Sequence, residues 1–410
     1  MTLPHATLLR PIGYQTGDCG YCKSEESGQR TTQSRASYYV IANTLLPEHY
    51  QVLMDRGWRR LPAAEFHPSR DQRQTLNRWN RFILGEKYIR DDAVLYPKSK
   101  ESKKRANIFD LHRTIHESES TNIKAGLEAD HNLQVILEPD EYTEEKFMLF
   151  SDYQQHVHHE SADEITRQGF KRFLCSSPLH RSTASGKALG SYHQCYRLNG
   201  RLIAMSVLDL LPHAVSGVYF IYHRDVEPWS MGKLSALREA ALAGEGGYDF
   251  YYMGYYIHGC AKMRYKGTYK QQYVLDHETL EWDPLNDEMR SLMERGTVVS
   301  MSAEKRKNIE QPATTVSWTL PNAVDAVASG RSLLDIGMPG VLSLTKLETS
   351  VDLAAVKVLL GHGRFHAISD LVAWEEGSEL DSTSIKGIVA EYAACVGPSI
   401  APEAIIDFSR

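Results

Sequence analysis

No run of about 18 consecutive apolar residues occurs in this chain, so it offers no candidate for a membrane-spanning helix. The opening MTLPHATLLRPIGYQTG lacks the basic segment and apolar core of a secretory leader. The expectation is a soluble, intracellular protein with no membrane partner. Cysteine is scarce, six in 410 residues with uneven spacing, which excludes a disulfide framework and leaves reduced thiols or a metal site. A second CxxC motif is missing. CGYCK at Cys19–Lys23 is therefore half a site, able to grip one tetrahedral ion or one edge of an iron–sulfur cluster but needing two further ligands. Two idle thiols on a surface turn are the plain alternative. Excess positive charge is also lacking: a net charge of −6 excludes a generally basic nucleic-acid coat and argues against DNA as a partner, while leaving local basic patches open.

What the chain has in quantity is tyrosine, concentrated in Tyr248–Tyr273, where eight tyrosines stand with one histidine, one cysteine and four Lys/Arg residues in 26 positions. A segment serving only as core would use Leu, Ile and Val, which bury without requiring hydroxyl partners. So many ring hydroxyls beside cations suggest a polar, aromatic-walled cleft. Lys262, Arg264 and Lys266 alternate with Met263 and Tyr265, so an extended backbone would set the three cations on one face. Such a row suits a carboxylate or a phosphate. Asp209 closes the apolar strand RLIAMSVLD and either caps the next turn or faces a cleft as a base or amine anchor.

Along the chain, Ser37–Leu46 is strand-like and Pro47–Arg60 is helical, with Tyr50, Leu53 and Met54 on one face and Trp58 as an anchor. From Arg70, the spacing of Leu76, Trp79, Asn80 and Ile83 predicts a helix ending at Gly85. Lys98–Arg105 carries five positive charges against one negative, fitting a phosphate backbone or a solvated face. Ser118–Asp130 is polar and poor in aromatics, and is expected as a flexible linker. Beyond it His131–Glu138 alternates as a strand and Thr143–His159 is helical. His193–Leu198 and Arg201–Leu208 flank Asn199-Gly200, a strong hairpin signal. A third strand over Val215–Tyr222, a helix from a capping Ser230 to Ala243, and a fourth strand over Phe250–Ile257 complete the pattern. Antiparallel strands followed by a helical crossover give a mixed α/β (α+β) fold with a GNAT-like acyltransferase sheet in the C-terminal half. The tail shows helix and strand patterns at Leu353–Leu360 and Ile385–Val396 and no catalytic cluster.

Three stretches, GSYHQCYRLNGRLIAMSVLDLLPHAVSGVYFIY, WSMGKLSALREAAL and YDFYYMGYYIHGCAKMRYKGTYKQQYVLD, resemble the C-terminal domain of the eukaryotic arginyl-tRNA protein transferases. CGYCK and MDRGWRR resemble that family's N-terminal domain, FMLFSDYQQHVH and GFKRFLCSSPL its middle, and RSLLDIGMPGVLSL its fungal-type end. The resemblance implies transfer of arginine from arginyl-tRNA to the α-amine of proteins beginning with Asp or Glu, marking them for ubiquitin-dependent degradation. It implies the cytoplasm, with the nucleus as a second location, and no cofactor for the transfer itself. An aminoacyl ester is already activated, so the chemistry needs alignment of a neutral amine and stabilisation of an oxyanion. Asp209, Tyr252 and His258 are the candidate catalytic residues. His193, Lys262, Arg264, Tyr265 and Lys266 are the candidate substrate-binding residues.

One departure stands out. Family members follow the RGWRR element with a segment bearing a second cysteine pair, whereas here Arg60 runs directly into LPAAEFHPSRDQRQ. Its loss leaves an iron–sulfur or zinc site at Cys19 and Cys22 incomplete. The expected organisation is a small cysteine-containing N-terminal domain over 1–117, a linker over 118–130, a catalytic domain over 131–300 and an extension over 301–410. The rival readings are an impaired form that only binds tRNA or acidic N-termini, and a CoA-dependent N-acetyltransferase. The latter is disfavoured because Ser230–Lys233 reads SMGK rather than a fuller glycine-rich loop.

Overall fold

A computed structural model describes residues 6–19, 29, 31–57, 61–62, 68–97, 109–260, 263–269, 271–295, 299–307, 324–325, 329–361 and 364–409. The chain opens with two antiparallel strands, β1 (Leu8–Gly17) and β2 (Arg35–Thr44), and enters helix α1 (Pro47–Asp55) through a proline at its first turn. Its buried residues are Pro47, Gln51 and Met54, so the inward face is partly polar. Trp58, Cys22 and the basic run Lys98–Arg105 lie outside the described residues. After the short strand β3 (Leu61–Pro62), Ser69 and Gln72 form a capping box that starts α2 (Arg70–Leu95).

The predicted stripe of Leu76, Trp79, Asn80 and Ile83 is buried, but the helical path continues past Gly85 instead of ending there. Gly85 takes φ 80° and ψ 159°, a conformation open almost only to glycine, and this kink frees carbonyls upstream. Asp130 and His131 donate their backbone N–H groups to Leu84 and Ile83. The 118–130 stretch, expected as a flexible linker, is consequently pinned. Ser118 is buried and donates to Asn80 at 2.8 Å, and Leu127 packs with Leu84 and Tyr88. A methyl group at Gly85 would sit 2.0 Å from the Asp130 carboxylate. Gly85→Ala is expected to destabilise the protein by about 2 kcal/mol or more, read from the urea midpoint; an unchanged midpoint would show that the kink is not held.

Helix α3 (Leu111–Ile115) precedes β4 (Leu133–Pro139). Thr143 then caps α4 (Glu144–Tyr153), which runs into a π-helical turn over Gln154–His158, and α5 (Arg167–Leu174) follows. Strands β5 (Ser182–Ala184), β6 (Lys187–Leu198), β7 (Arg201–Leu210) and β8 (Ala214–Tyr222) are successive antiparallel neighbours. Asn199 and Gly200 turn the β6–β7 hairpin at φ 52° and 83°, as the dipeptide predicts. Helix α6 (Met231–Glu245) crosses back to β9 (Phe250–Tyr252), which lies parallel to β8. Ser230, expected to cap α6 with its side chain, sits at φ 57° and makes no side-chain cap. The expected strand over Phe250–Ile257 stops at Tyr252. A small hairpin pairs β10 (Tyr273–Leu275) with β11 (Trp282–Pro284).

The sheet order is β3-β9-β8-β7-β6-β4, with β5 beside β6. One face carries α2 and α6 over a core that includes Trp79, Leu208, Val215, Leu237 and Tyr251. The opposite face carries α4 and α5, with Phe147, Phe150 and Phe170 against Met205, Val207 and Ile221. Toward the β7–β8 turn this second face belongs to a separate cluster, in which Leu211, Ala214 and Tyr252 pack with Met54 and with α7 (Ile385–Val396). The tail strands β12 (Lys357–Leu360), β13 (Arg364–Ala367) and β14 (Ile405–Asp407) join β1 and β2 in one sheet of order β13-β12-β14-β1-β2. The first and last segments, expected as a domain and an extension, thus share a single sheet and core.

Candidate functional site

Between the two clusters on the second face runs a polar seam. Strand register sets Ser191 opposite Asp209 and Asp209 opposite Ser216, three polar side chains in a row across β6, β7 and β8, all buried. Ser191 Oγ lies 2.5 Å from Asp209 Oδ1 and 2.6 Å from Ser177 Oγ. A hydroxyl carries one proton, so when Asp209 is ionised Ser191 donates to it and accepts from Ser177. Ser177 is exposed, and the three groups form a hydroxyl wire from the surface to a buried carboxyl. Burial raises the Asp209 carboxyl to about 7, with a further push from Asp140, while the Ser191 hydrogen bond works the other way. A carboxyl poised near neutrality is suited to taking a proton from an amine. Helix α1 closes the seam from the N-terminal side. Its Tyr50 phenol is raised above the ordinary value by burial first and then by Asp209 and Tyr255.

The other sequence-derived candidates fall in distinct places. His193 is fully buried, its Nε2 2.8 Å from the Leu174 carbonyl, which only accepts, so that nitrogen carries the proton. Burial pushes this imidazole down to about 4, leaving it neutral, and its Nδ1 has no partner. Tyr252 is fully buried, donates to the Asp55 carboxylate and accepts from Gln51 at 3.2 Å. Asp55 also lies 3.1 Å from His213 Nε2, so Tyr252 takes part in a network tying α1 to the β7–β8 turn. His258 stands apart from Asp209 in its contacts, with Nδ1 3.0 Å from the Tyr256 hydroxyl and Nε2 3.8 Å from Glu294.

Where an extended backbone was expected, the described part of the row, Arg264–Thr268, is a 3-10 turn. Lys266 turns inward and donates to the carbonyls of Met253 (2.7 Å) and Tyr255 (3.2 Å), just beyond the end of β9. Lys262 and the side chains of Arg264 and Tyr265 lie outside the described residues. Of the cysteine pair only Cys19 is described, and its backbone N–H donates to Ser34 at 2.9 Å. Among the described residues no group of three or more His, Cys, Asp or Glu side chains is arranged to hold a metal ion, so those residues do not make a complete zinc or cluster site.

Sequence reasoning missed Glu239. It is buried in α6 on the first face and accepts from Ser206 (2.7 Å), Ser235 (2.9 Å) and Tyr251 (2.5 Å). Burial raises its carboxyl, opposed by the three hydroxyls and Lys266. Above it β8 bulges: Leu208 pairs with Gly217 but Val207 with Tyr219, leaving Val218 as the extra residue. A Cβ on Gly217 would lie 2.9 Å from Glu239, so glycine there allows the close approach. Beyond Ser216 the described residues pair β8 with β9 no further, and the two strands part. The available signal was Ser235 one turn before Glu239, in a helix whose neighbours Ala236, Leu237, Ala240 and Ala241 are all apolar.

Residues 145–276, which contain the seam, the bulge and Glu239, match the family described as arginine-tRNA-protein transferase, C terminus. The arginyl-tRNA–protein transferase 1 of Saccharomyces cerevisiae is 37% identical over 190 residues, covering 42% of this chain and 37% of the relative. Its Arabidopsis thaliana namesake is 34% identical over 209 residues, covering 48% of this chain and 32% of the relative. An aspartate/glutamate leucyltransferase of Pseudomonas fluorescens is 33% identical over 160 residues, covering 38% and 61%. The match to the two eukaryotic relatives thus spans about a third of their length. The resemblance read from the sequence is thus matched over residues 145–276, a segment of mixed α/β structure.

Proposed function

We propose that this protein transfers arginine from arginyl-tRNA to the α-amino group of polypeptides that begin with Asp or Glu. The observation that carries this reading is a near-neutral carboxyl, Asp209, wired through Ser191 to the surface inside the segment that matches the transferase family. The bacterial relative named as an aspartate/glutamate leucyltransferase supports an acidic acceptor.

The α-ammonium of a polypeptide has a pKa of about 7.7–8.0, so it must lose a proton before it can attack. Asp209 takes that proton through the Ser177–Ser191 hydroxyls. The amine nitrogen then bonds to the ester carbonyl carbon, and the bond from that carbon to the ribose oxygen breaks. The proton stored on Asp209 returns by the same wire to the departing ribose oxygen, and the nitrogen gives its second proton to the emptied carboxylate, from which it passes along the wire to solvent. Backbone N–H groups at the β8 bulge would be the donors to a developing oxyanion. Transfer requires no group beyond these side chains and backbone amides. Arginine added to the N-terminus would then mark the product for ubiquitin-dependent degradation in the cytoplasm or nucleus.

The test is incubation of the purified chain with labelled arginyl-tRNA and peptides starting with Asp, Glu or Ala. Label is expected in the first two and absent from the third. If neither acidic peptide is labelled while arginyl-tRNA still binds, the chain is the binding-only form, and reinsertion of a cysteine-pair segment after Arg60 should restore transfer.

A further inference from the structure

The tyrosine-rich segment that the sequence offered as a stacking surface is largely spent on the core. Tyr248, Tyr251, Tyr252 and Tyr269 are 5%, 4%, 0% and 2% exposed. Tyr255 of that segment stays 62% exposed, and a second exposed ring stands on the second face, backed by the partly buried Tyr153 and Tyr219. Helix α5 buries Phe170 completely yet leaves Phe173, three residues on, 58% exposed. Phe173 stands edge-on to Tyr219 of β8 at 5.2 Å between ring centres, and Tyr153 stands edge-on to the same Tyr219 at 6.3 Å. Val218, pushed out by the bulge beside Tyr219, is 50% exposed.

The same helix carries Lys171 and Arg172, both exposed, and neither makes an ion pair among the described residues. Large rings left in water cost free energy, and soluble proteins seldom retain a cluster of them without a partner. Lys171 lies over the Tyr142 ring near Glu144, which leaves Arg172 as the open charge. A ring beside such a cation suits a strand of phosphate-linked bases, because every base has a face to stack and every linkage a charge to balance.

The surface also abuts the reactive carboxyl. Tyr219 pairs across the sheet with Val207, two residues before Asp209. The last turn of α5 accepts the His193 hydrogen bond at Leu174, and Ser177, four residues beyond Phe173, begins the wire to Asp209. We propose that the Phe173–Tyr219 face stacks the unpaired 3′ nucleotides of a tRNA and delivers the ester at their end to Asp209. This rests on the reading of the protein as an aminoacyl-tRNA-dependent transferase.

The experiment compares binding of the full chain to an intact tRNA and to the same tRNA trimmed of its last three unpaired nucleotides. Wild type is expected to bind the intact tRNA about tenfold more tightly. Phe173→Ala should bring that ratio to within about twofold while leaving affinity for the trimmed tRNA unchanged, and Phe173→Trp should restore it. Equal affinity for trimmed tRNA across all three proteins shows that they are folded. The proposal is overturned if Phe173→Ala keeps the full ratio, or if wild type shows none. A Phe173→Ala protein with normal tRNA affinity but a raised KM for an Asp-starting peptide would assign the face to the acceptor and overturn it too. Loss of all tRNA binding by wild type would sink the transferase reading itself, a result distinct from the others.

Discussion

Asp209→Asn is expected to lower arginyl transfer about 100- to 10,000-fold, with KM for the acceptor peptide little changed, because it removes the proposed proton acceptor and keeps the shape. In wild type the rate of the chemical step should rise with pH and level off above about 7, the value to which burial raises this carboxyl. In the Asn variant the residual rate should follow only the ionisation of the acceptor amine. Stability should move in the opposite sense. A carboxyl raised from 3.8 to about 7 on folding favours the native state when protonated, an advantage complete below the unfolded value and lost as pH climbs through the folded one. At pH 8 wild type therefore holds an unfavourable buried charge, and Asp209→Asn should be more stable by roughly 2–4 kcal/mol. Below about pH 4 that gap should vanish. Chemical denaturation at the two pH values measures it. A variant that transfers arginine at the wild-type rate would remove Asp209 from the mechanism.

Glu239→Ala is expected to cost roughly 3–5 kcal/mol, the largest stability loss among the polar positions described here. The change strands the buried hydroxyls of Ser206, Ser235 and Tyr251 together. Hydroxyls can rotate to serve an amide oxygen, so Glu239→Gln should cost only about 1–2 kcal/mol. The urea midpoints of the two variants provide the comparison. Because Glu239 lies directly beneath the Gly217–Val218 bulge, the Gln variant should also report on catalysis, with a lowered kcat and an unshifted pH profile. Equal midpoints for Ala and wild type would mean that this knot contributes nothing to the fold.

How far these features could be read in the sequence depends on how local their causes are. Asn199-Gly200 carries its hairpin in two adjacent residues, and the stripe of α2 follows from one helical period. Asp209 was visible because one carboxylate at the end of an apolar strand contrasts with its neighbours. Its relay partners were not, since Ser177 and Ser191 are ordinary residues until strand register and the end of α5 bring them together. The cation row illustrates the reverse error: alternation implies one face only if the backbone is extended, and the early end of β9 allows Arg264–Thr268 to coil and Lys266 to serve two carbonyls. Glu239 went unnoticed because its hydroxyl partners come from three different elements. The linker over 118–130 was misread for a similar reason, since its anchors are carbonyls released by a kink at Gly85.

The pairing of β1 with β14 has a consequence in time. Leu8 lies against Ile405 and Leu9 against Ile406, so this contact joins segments far apart in the sequence. Such long-range pairing is slow to form, and during synthesis β1 emerges well before its parallel neighbour. Until β14 leaves the ribosome, β1 can pair only with β2, and that side of the sheet remains an open edge. Helix α1, which brings Tyr50 to the Asp209 seam, hangs from the same unit. The sheet that carries Asp209 can thus assemble from local hairpins, while the seam closed by α1 waits for β14.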